Sequence, residues 1–185
     1  WLMNRPSSVE KIAPFIQRYG LDVSEFAEPV ENYRSFNAFF SRRLKPSARP
    51  IDAGERSVIF PADGRHLLVE NVTKATDLFV KGSRFSLHEL VKDEALAQEF
   101  VGGSALISRL CPTDYHRFHF PLGGVAGTPQ LINGPLYSVS PIALRERPTI
   151  LWENKRYLTT LDDTICGRLL FFEIGATCVG SVVHT

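Results

Sequence analysis

The densest run of chemically capable side chains is Asp114-Tyr115-His116-Arg117-Phe118-His119-Phe120-Pro121. Imidazole exchanges protons near neutral pH, so one reading of the two histidines is general acid and base. A second reading is a metal site. Phe118-His119-Phe120-Pro121 alternates like a strand, and on a strand an offset of three sends His116 and His119 to opposite faces. Further ligands would have to come from elsewhere, and no H-E-x-x-H pattern occurs, so no metal is assigned. The third reading is structural, with both rings packed among their aromatic neighbours. Asp63 is the carboxylate most suggestive of a partner. It sits in Pro61-Ala62-Asp63-Gly64 between two apolar stretches, where Asp before Gly also suits a hairpin turn. Set beside the histidines, it suggests the carboxylate-histidine half of a nucleophile-activating triad.

These groups must be held by a scaffold that changes texture along the chain. Residues 1–50 read as helical: Ser7 and Glu10 fit a capping box ahead of Val9, Ile12, Ala13 and Ile16, with Pro14 predicting a short or kinked helix. A second helix is expected from Ser35, with Phe36, Phe39 and Phe40 on one face. From Val58 the pattern turns to strands at Val58–Phe60, His66–Val69, Ser104–Leu110, Arg117–Phe120, Leu136–Val139, near Thr149–Trp152, and at Tyr157–Leu161, Leu169–Ile174 and Val179–Val183. One helix interrupts them, capped by Ser86 and Glu89 and running from Leu87 to Phe100. Turn-punctuated short strands argue against βαβ units. The expected fold is α+β, N-terminal helices packed on a mainly antiparallel β domain, divided as a helical region 1–50 and a β-rich catalytic region 51–185.

Composition bounds the function. With 185 residues, 44% hydrophobic and 22% charged, the chain suits a globular protein, and 21 basic against 20 acidic residues give no field that draws nucleic acid. No apolar run approaches the roughly 20 residues of a spanning helix, which leaves attachment to a membrane surface open. Phe36, Phe39 and Phe40 with Arg42, Arg43 and Lys45 have the character of an interfacial segment, and equally of a helix whose aromatic rings enter a core. Cys111, Cys166 and Cys178 are far apart and read as buried free thiols in a reducing compartment. A chain opening on Trp1 is expected to lack its natural N-terminus.

Six elements in order carry a family resemblance: Phe39-Phe40-x-Arg42 with Lys45 and Arg49-Pro50-Ile51; Pro61-Ala62-Asp63-Gly64; Lys81-Gly82 with Phe85-Ser86-Leu87; Asp114-Tyr115-His116-Arg117-x-His119-x-Pro121; Gly134-x-Leu136-Tyr137-Ser138-Val139; and Glu173-Ile174-Gly175-Ala176-Thr177-x-Val179-Gly180-Ser181. Over nearly its whole length the chain resembles the larger (β) chain of pyruvoyl-dependent phosphatidylserine decarboxylases. The resemblance implies a proenzyme that cuts itself before the serine of a Gly-Ser-Thr tripeptide, converting that serine into a covalent pyruvoyl group on a smaller α chain. It further implies decarboxylation of phosphatidylserine to phosphatidylethanolamine through a Schiff base with that group.

Carried over by motif, His119 is the base for self-cleavage, Asp63 orients it, and His116 serves acid/base work in decarboxylation. The partners implied are the α chain, the phospholipid and a membrane surface, without nucleic acid, and homo-oligomers are compatible with the family. The implied location is peripheral, on the cytoplasmic face of a bacterial membrane or an organellar inner membrane. No Gly-Ser-Thr occurs, since Gly82-Ser83, Gly103-Ser104 and Gly180-Ser181 are followed by other residues. The cleavage site is therefore expected beyond Thr185, leaving the β region incomplete at its C-terminus. The rivals are a pyruvoyl enzyme acting on a soluble amino acid, and a non-catalytic lipid- or carrier-binding β module.

Overall fold

A computed structural model describes residues 2–72 and 86–184. The Lys81-Gly82 and Phe85 positions of the motif series lie outside the described residues. By backbone contact the chain forms two compact units, Trp1–His66 with Ser108–Leu122 and Leu67–Ile107 with Gly123–Thr185. This division does not follow position 50, because the segments around Ile59 and His119 join the N-terminal helices. The architecture is α+β: six helices and six strands among the described residues, with antiparallel pairing in the larger sheet.

In the first unit a 3₁₀ turn, Pro6–Lys11, leads into helix α1, Ile12–Tyr19. Pro14 occupies the third position of α1, where its missing N–H would have had no intrahelical acceptor, so the helix proceeds through it. The capping box expected at Ser7 and Glu10 does not form. The neighbouring Ser8 is buried instead, its Oγ 2.6 Å from the Arg5 carbonyl and accepting the Phe36 N–H at 2.9 Å. That bond ties the first turn to helix α2, Phe36–Phe40, which the Ser35 hydroxyl caps by accepting the Ala38 N–H.

The core here is Ile12, Phe26, Tyr33 and Phe39, with Phe15 and Phe36 against them. Phe39 has no exposed surface, and Phe15, Phe26 and Tyr33 meet it edge-on with centroids 5.8 to 6.0 Å away. Its burial supplies roughly 1.5–3 kcal/mol to the unit. Arg42 follows it inward, its guanidinium 4.8 Å from the Phe26 ring and 5.0 Å from that of Phe39. Of the two readings of the Phe36–Lys45 cluster, the structure shows the core one for Phe39, whereas Arg42, expected in that reading to stay solvated like the other basic residues, is drawn into the core by its aromatic neighbours.

Val58–Phe60 and Arg117–Phe120, expected as strands, do not adopt regular strand geometry. They still lie side by side, because Ile59 donates to the Pro121 carbonyl and His119 to that of Pro61, each at 2.8 Å. The prolines at 61 and 121 have no N–H to extend the ladder. Strands β1, Arg65–Val69, and β2, Ala105–Arg109, form a two-stranded sheet.

In the second unit the single helix expected from Leu87 to Phe100 is two, α3 (Leu87–Val91) and α4 (Glu94–Glu99). Lys92 takes a left-handed conformation with φ of 59°, and Asp93 then caps α4 by accepting the Leu96 N–H. The main sheet centres on β5, Arg156–Thr164. Strands β3 (Val125–Ala126) and β4 (Gln130–Ile132) pair with one edge and β6 (Gly167–Ile174) with the other, all antiparallel.

A short helix α5, Pro141–Glu146, precedes α6, Ile150–Glu153, which replaces the strand expected near Thr149–Trp152. The helical turn buries both Ile150 and Trp152 and brings Glu153 onto Arg147. Leu136–Val139 is irregular too, because the buried Asn154 side chain acts as its strand partner, bonding both the N–H and the carbonyl of Tyr137. Beyond β6, Val179–Val183 forms no strand; Val179 makes only an isolated bridge to Ala176. The thiols are free but not buried as expected: Cys166 and Cys178 are exposed and Cys111 is partly so.

Candidate active site

All three candidate residues lie in the first unit. His116 follows a tight turn in which the Asp114 carboxylate accepts the Cys111 N–H at 2.5 Å and the Asp114 N–H bonds back to the Cys111 carbonyl. That turn aims the Asp114 carbonyl at His116 Nδ1, 2.8 Å away. A carbonyl can only accept, so Nδ1 carries the proton and Nε2 presents its lone pair. Phe40, at the end of α2, lies against the imidazole with ring centroids 3.9 Å apart. Arg117 donates to the Ser41 carbonyl, which fixes the histidine segment to the end of that helix. Burial pushes His116 below the ordinary imidazole range, outweighing the Asp114 carbonyl and the Asp63 charge, which act in the other direction. At pH 7 the ring is a neutral proton acceptor.

Asp63 is positioned by the turn after Pro61. Gly64 there has φ of +129°, open only to glycine, and a Cβ would come within 2.5 Å of the Arg109 carbonyl oxygen. The Asp63 carboxylate is taken by Arg49: Nε lies 2.8 and 3.0 Å from its two oxygens, and Nη2 lies 2.8 Å from Oδ2. Arg49 also reaches Glu25 at 3.2 Å and the Ala48 carbonyl at 2.7 Å. The Tyr115 N–H approaches Asp63 Oδ2 at 3.4 Å. Arg49's hydrogen bonds hold the Asp63 carboxyl below the usual carboxylate range, against the effect of partial burial.

The structure therefore brings Asp63 and His116 into one electrostatic neighbourhood. His119 is exposed, held through its backbone to Pro61, and no hydrogen bond or ion pair joins its ring to Asp63 among the described residues. The direct carboxylate-histidine contact suggested by the sequence is occupied here by Arg49. Three contributors carried no role in the sequence reading. Phe40 and Arg49 stand in the motif series without one, and Glu25, 24 residues from Arg49, has no sequence signal at all. Arg42 is the fourth charge nearby; it is 5% exposed, and its Nε and Nη1 have no hydrogen-bond partner.

The first unit thus holds a neutral, partly buried histidine within the field of an ionised aspartate, two groups chemically suited to acid/base work. Comparison with known proteins gives the family. Residues 36–185 match the phosphatidylserine decarboxylase family, and the chain belongs to it. It is 44% identical to the phosphatidylserine decarboxylase proenzyme of Chlamydia muridarum over 174 residues, covering 94% of this chain and 58% of that protein. It is 44% identical over 183 residues to that of Fusobacterium nucleatum, covering 99% and 61%, and 42% identical over 185 residues to that of Clostridium kluyveri, covering 100% and 62%. The chain spans about three fifths of the length of the curated relatives it matches.

Proposed function

We propose that this chain is part of a proenzyme that cuts itself and then decarboxylates phosphatidylserine to phosphatidylethanolamine at a membrane surface, with a smaller chain bearing a pyruvoyl group. The observation that carries the reading is the family match along nearly the whole chain. A pyruvoyl ketone supplies a carbonyl that engages the substrate amine and draws electrons as carbon dioxide leaves. Within this unit Arg42 supplies a buried positive charge whose Nε and Nη1 have no hydrogen-bond partner and whose field reaches His116, an environment that suits an oxygen-bearing group.

His116 is the group of this chain suited to move a proton during decarboxylation. Its Nδ1 is committed to Asp114, its Nε2 is available, and Phe40 keeps water from one face of the ring. His119 is suited to the other reaction, because an exposed imidazole can receive the proton of a serine delivered by another segment. Asp63, ionised and fixed, is the carboxylate that favours the imidazolium formed in that step.

The test uses the complete protein. Carbon dioxide should be released from phosphatidylserine vesicles and not from free serine or aromatic amino acids; release from a free amino acid instead would favour the soluble-substrate rival. His119→Ala and Asp63→Ala should accumulate uncut precursor on a gel. His116→Ala should cut normally and lose on the order of a hundredfold or more in decarboxylation, the usual contribution of a general acid or base. If His116→Ala blocks cutting while His119→Ala does not, the two roles are reversed.

A further inference from the structure

The Arg49 cluster has a geometry that stability alone does not explain. The Arg49 side chain is 41% exposed and Glu25 36%, and ion pairs this open to water add little to folding. Yet the arginine makes a two-pronged contact with Asp63, and it is clamped from behind by Glu25 and the Ala48 carbonyl. Glu25 is fixed in turn, since its carbonyl accepts the Lys45 N–H at 2.8 Å and Ala27 donates to the Arg43 carbonyl at 3.0 Å. The whole segment leading to Arg49 is thus tied to the segment carrying Glu25.

A planar fork on a carboxylate sets orientation as well as charge. Oδ2 takes Nη2, the longer Nε contact and the Tyr115 N–H, whereas Oδ1 takes only Nε, so Oδ1 keeps a free lone pair. The carboxylate is held with one oxygen filled and one still able to accept.

We propose that Arg49, braced by Glu25, is a positioning residue for self-cleavage that sets the orientation in which Asp63 meets the imidazole serving as base. The inference rests on the reading of this chain as a self-cutting proenzyme. It assigns Arg49 no contact with the reacting atoms; the arginine acts through Asp63. The charged and titratable groups facing Asp63 are Arg49 and, at longer range, Arg42 and the neutral His116.

The experiment follows the cutting rate of the complete precursor by gel and mass spectrometry, with thermal melting to show that each variant is folded. Arg49→Gln should cut about ten- to a hundredfold more slowly, the scale of a misplaced supporting group. Arg49→Lys keeps the charge and loses the fork, and should fall between Gln and wild type. In an Asp63→Asn background, Arg49→Gln should slow residual cutting no further. Wild-type rates in Arg49→Gln, equal rates for Lys and Gln, or a full additional loss in the Asp63→Asn background would each overturn the proposal. Where Asp63→Asn leaves no cutting to measure, the Lys rescue decides alone. If Arg49→Gln does not fold, Arg49→Lys and Glu25→Gln are read instead, and wild-type rates in both overturn it. A wild-type precursor that never cuts, or an Asp63→Asn that cuts normally, would instead sink the functional reading beneath it.

Discussion

At the scale of single residues, His116 owes its character to its surroundings. Its lowered affinity for a proton comes first from burial, to which Phe40 contributes by lying 3.9 Å from the ring. If neutral His116 accepts a proton in decarboxylation, activity is present above its folded pKa and is lost as pH falls through it. The acid side of the rate profile of the complete enzyme should therefore hold through pH 6.5, the ordinary imidazole value, and fail only below it. Phe40→Ala admits water to the ring and should move that fall upward, toward the ordinary value; an unmoved profile would show that His116 does not set it. The histidines and Asp63 stood out as candidates in the sequence because His116 and His119 sit close together and because the motif series includes all three. Which imidazole is buried was not legible, since it follows from the Asp114 turn and from a phenylalanine 76 residues earlier. Nor could spacing show that an arginine, and no histidine ring, would hold Asp63.

Among the elements, capping chemistry was read correctly where the cap is local, as at Ser86. It failed at Ser7 because Ser8 has a tertiary partner, the Phe36 N–H, that outweighs a local capping box. The apolar run at Ile150–Trp152 became helical because one turn buries two large side chains, something a period of two over four residues cannot distinguish. Two turns invite tests on the complete protein. Gly64→Ala places a methyl group against the Arg109 carbonyl at a positive φ, and should lower unfolding stability by at least about 2 kcal/mol in a urea titration. Cys178 is exposed at φ of +69°, in the turn closed by the Ala176–Val179 backbone bonds. Cys178→Asn suits that conformation better, and should raise stability by about 0.5–1 kcal/mol in the same titration; a loss would mean that the thiol makes contacts worth more than the backbone strain.

For this chain taken as a whole, the formal charge of +1 bears on how the proposed lipid substrate would be met. A polybasic anchor gains about 1 kcal/mol per basic residue from an anionic surface, and that gain is largely screened once the Debye length falls to a few ångströms in concentrated salt. No helix among the described residues is long and apolar enough to cross a membrane. Apolar side chains are nonetheless exposed at the start of the first unit, with Leu2 62% and Met3 41% accessible. Inserting two such side chains into a bilayer interface yields a few kcal/mol that salt does not screen. Co-sedimentation of the complete protein with phosphatidylserine-containing vesicles should therefore change by less than about threefold between ~0.1 and ~0.5 M salt. Leu2→Asp with Met3→Asp should weaken it by roughly tenfold or more, because that double change removes most of the apolar gain and adds charges that resist dehydration. Steep salt dependence with an unaffected double variant would assign attachment to basic side chains instead. Arg43 and Lys45 would then be the residues to substitute next, since Arg42 beside them is committed to the aromatic core.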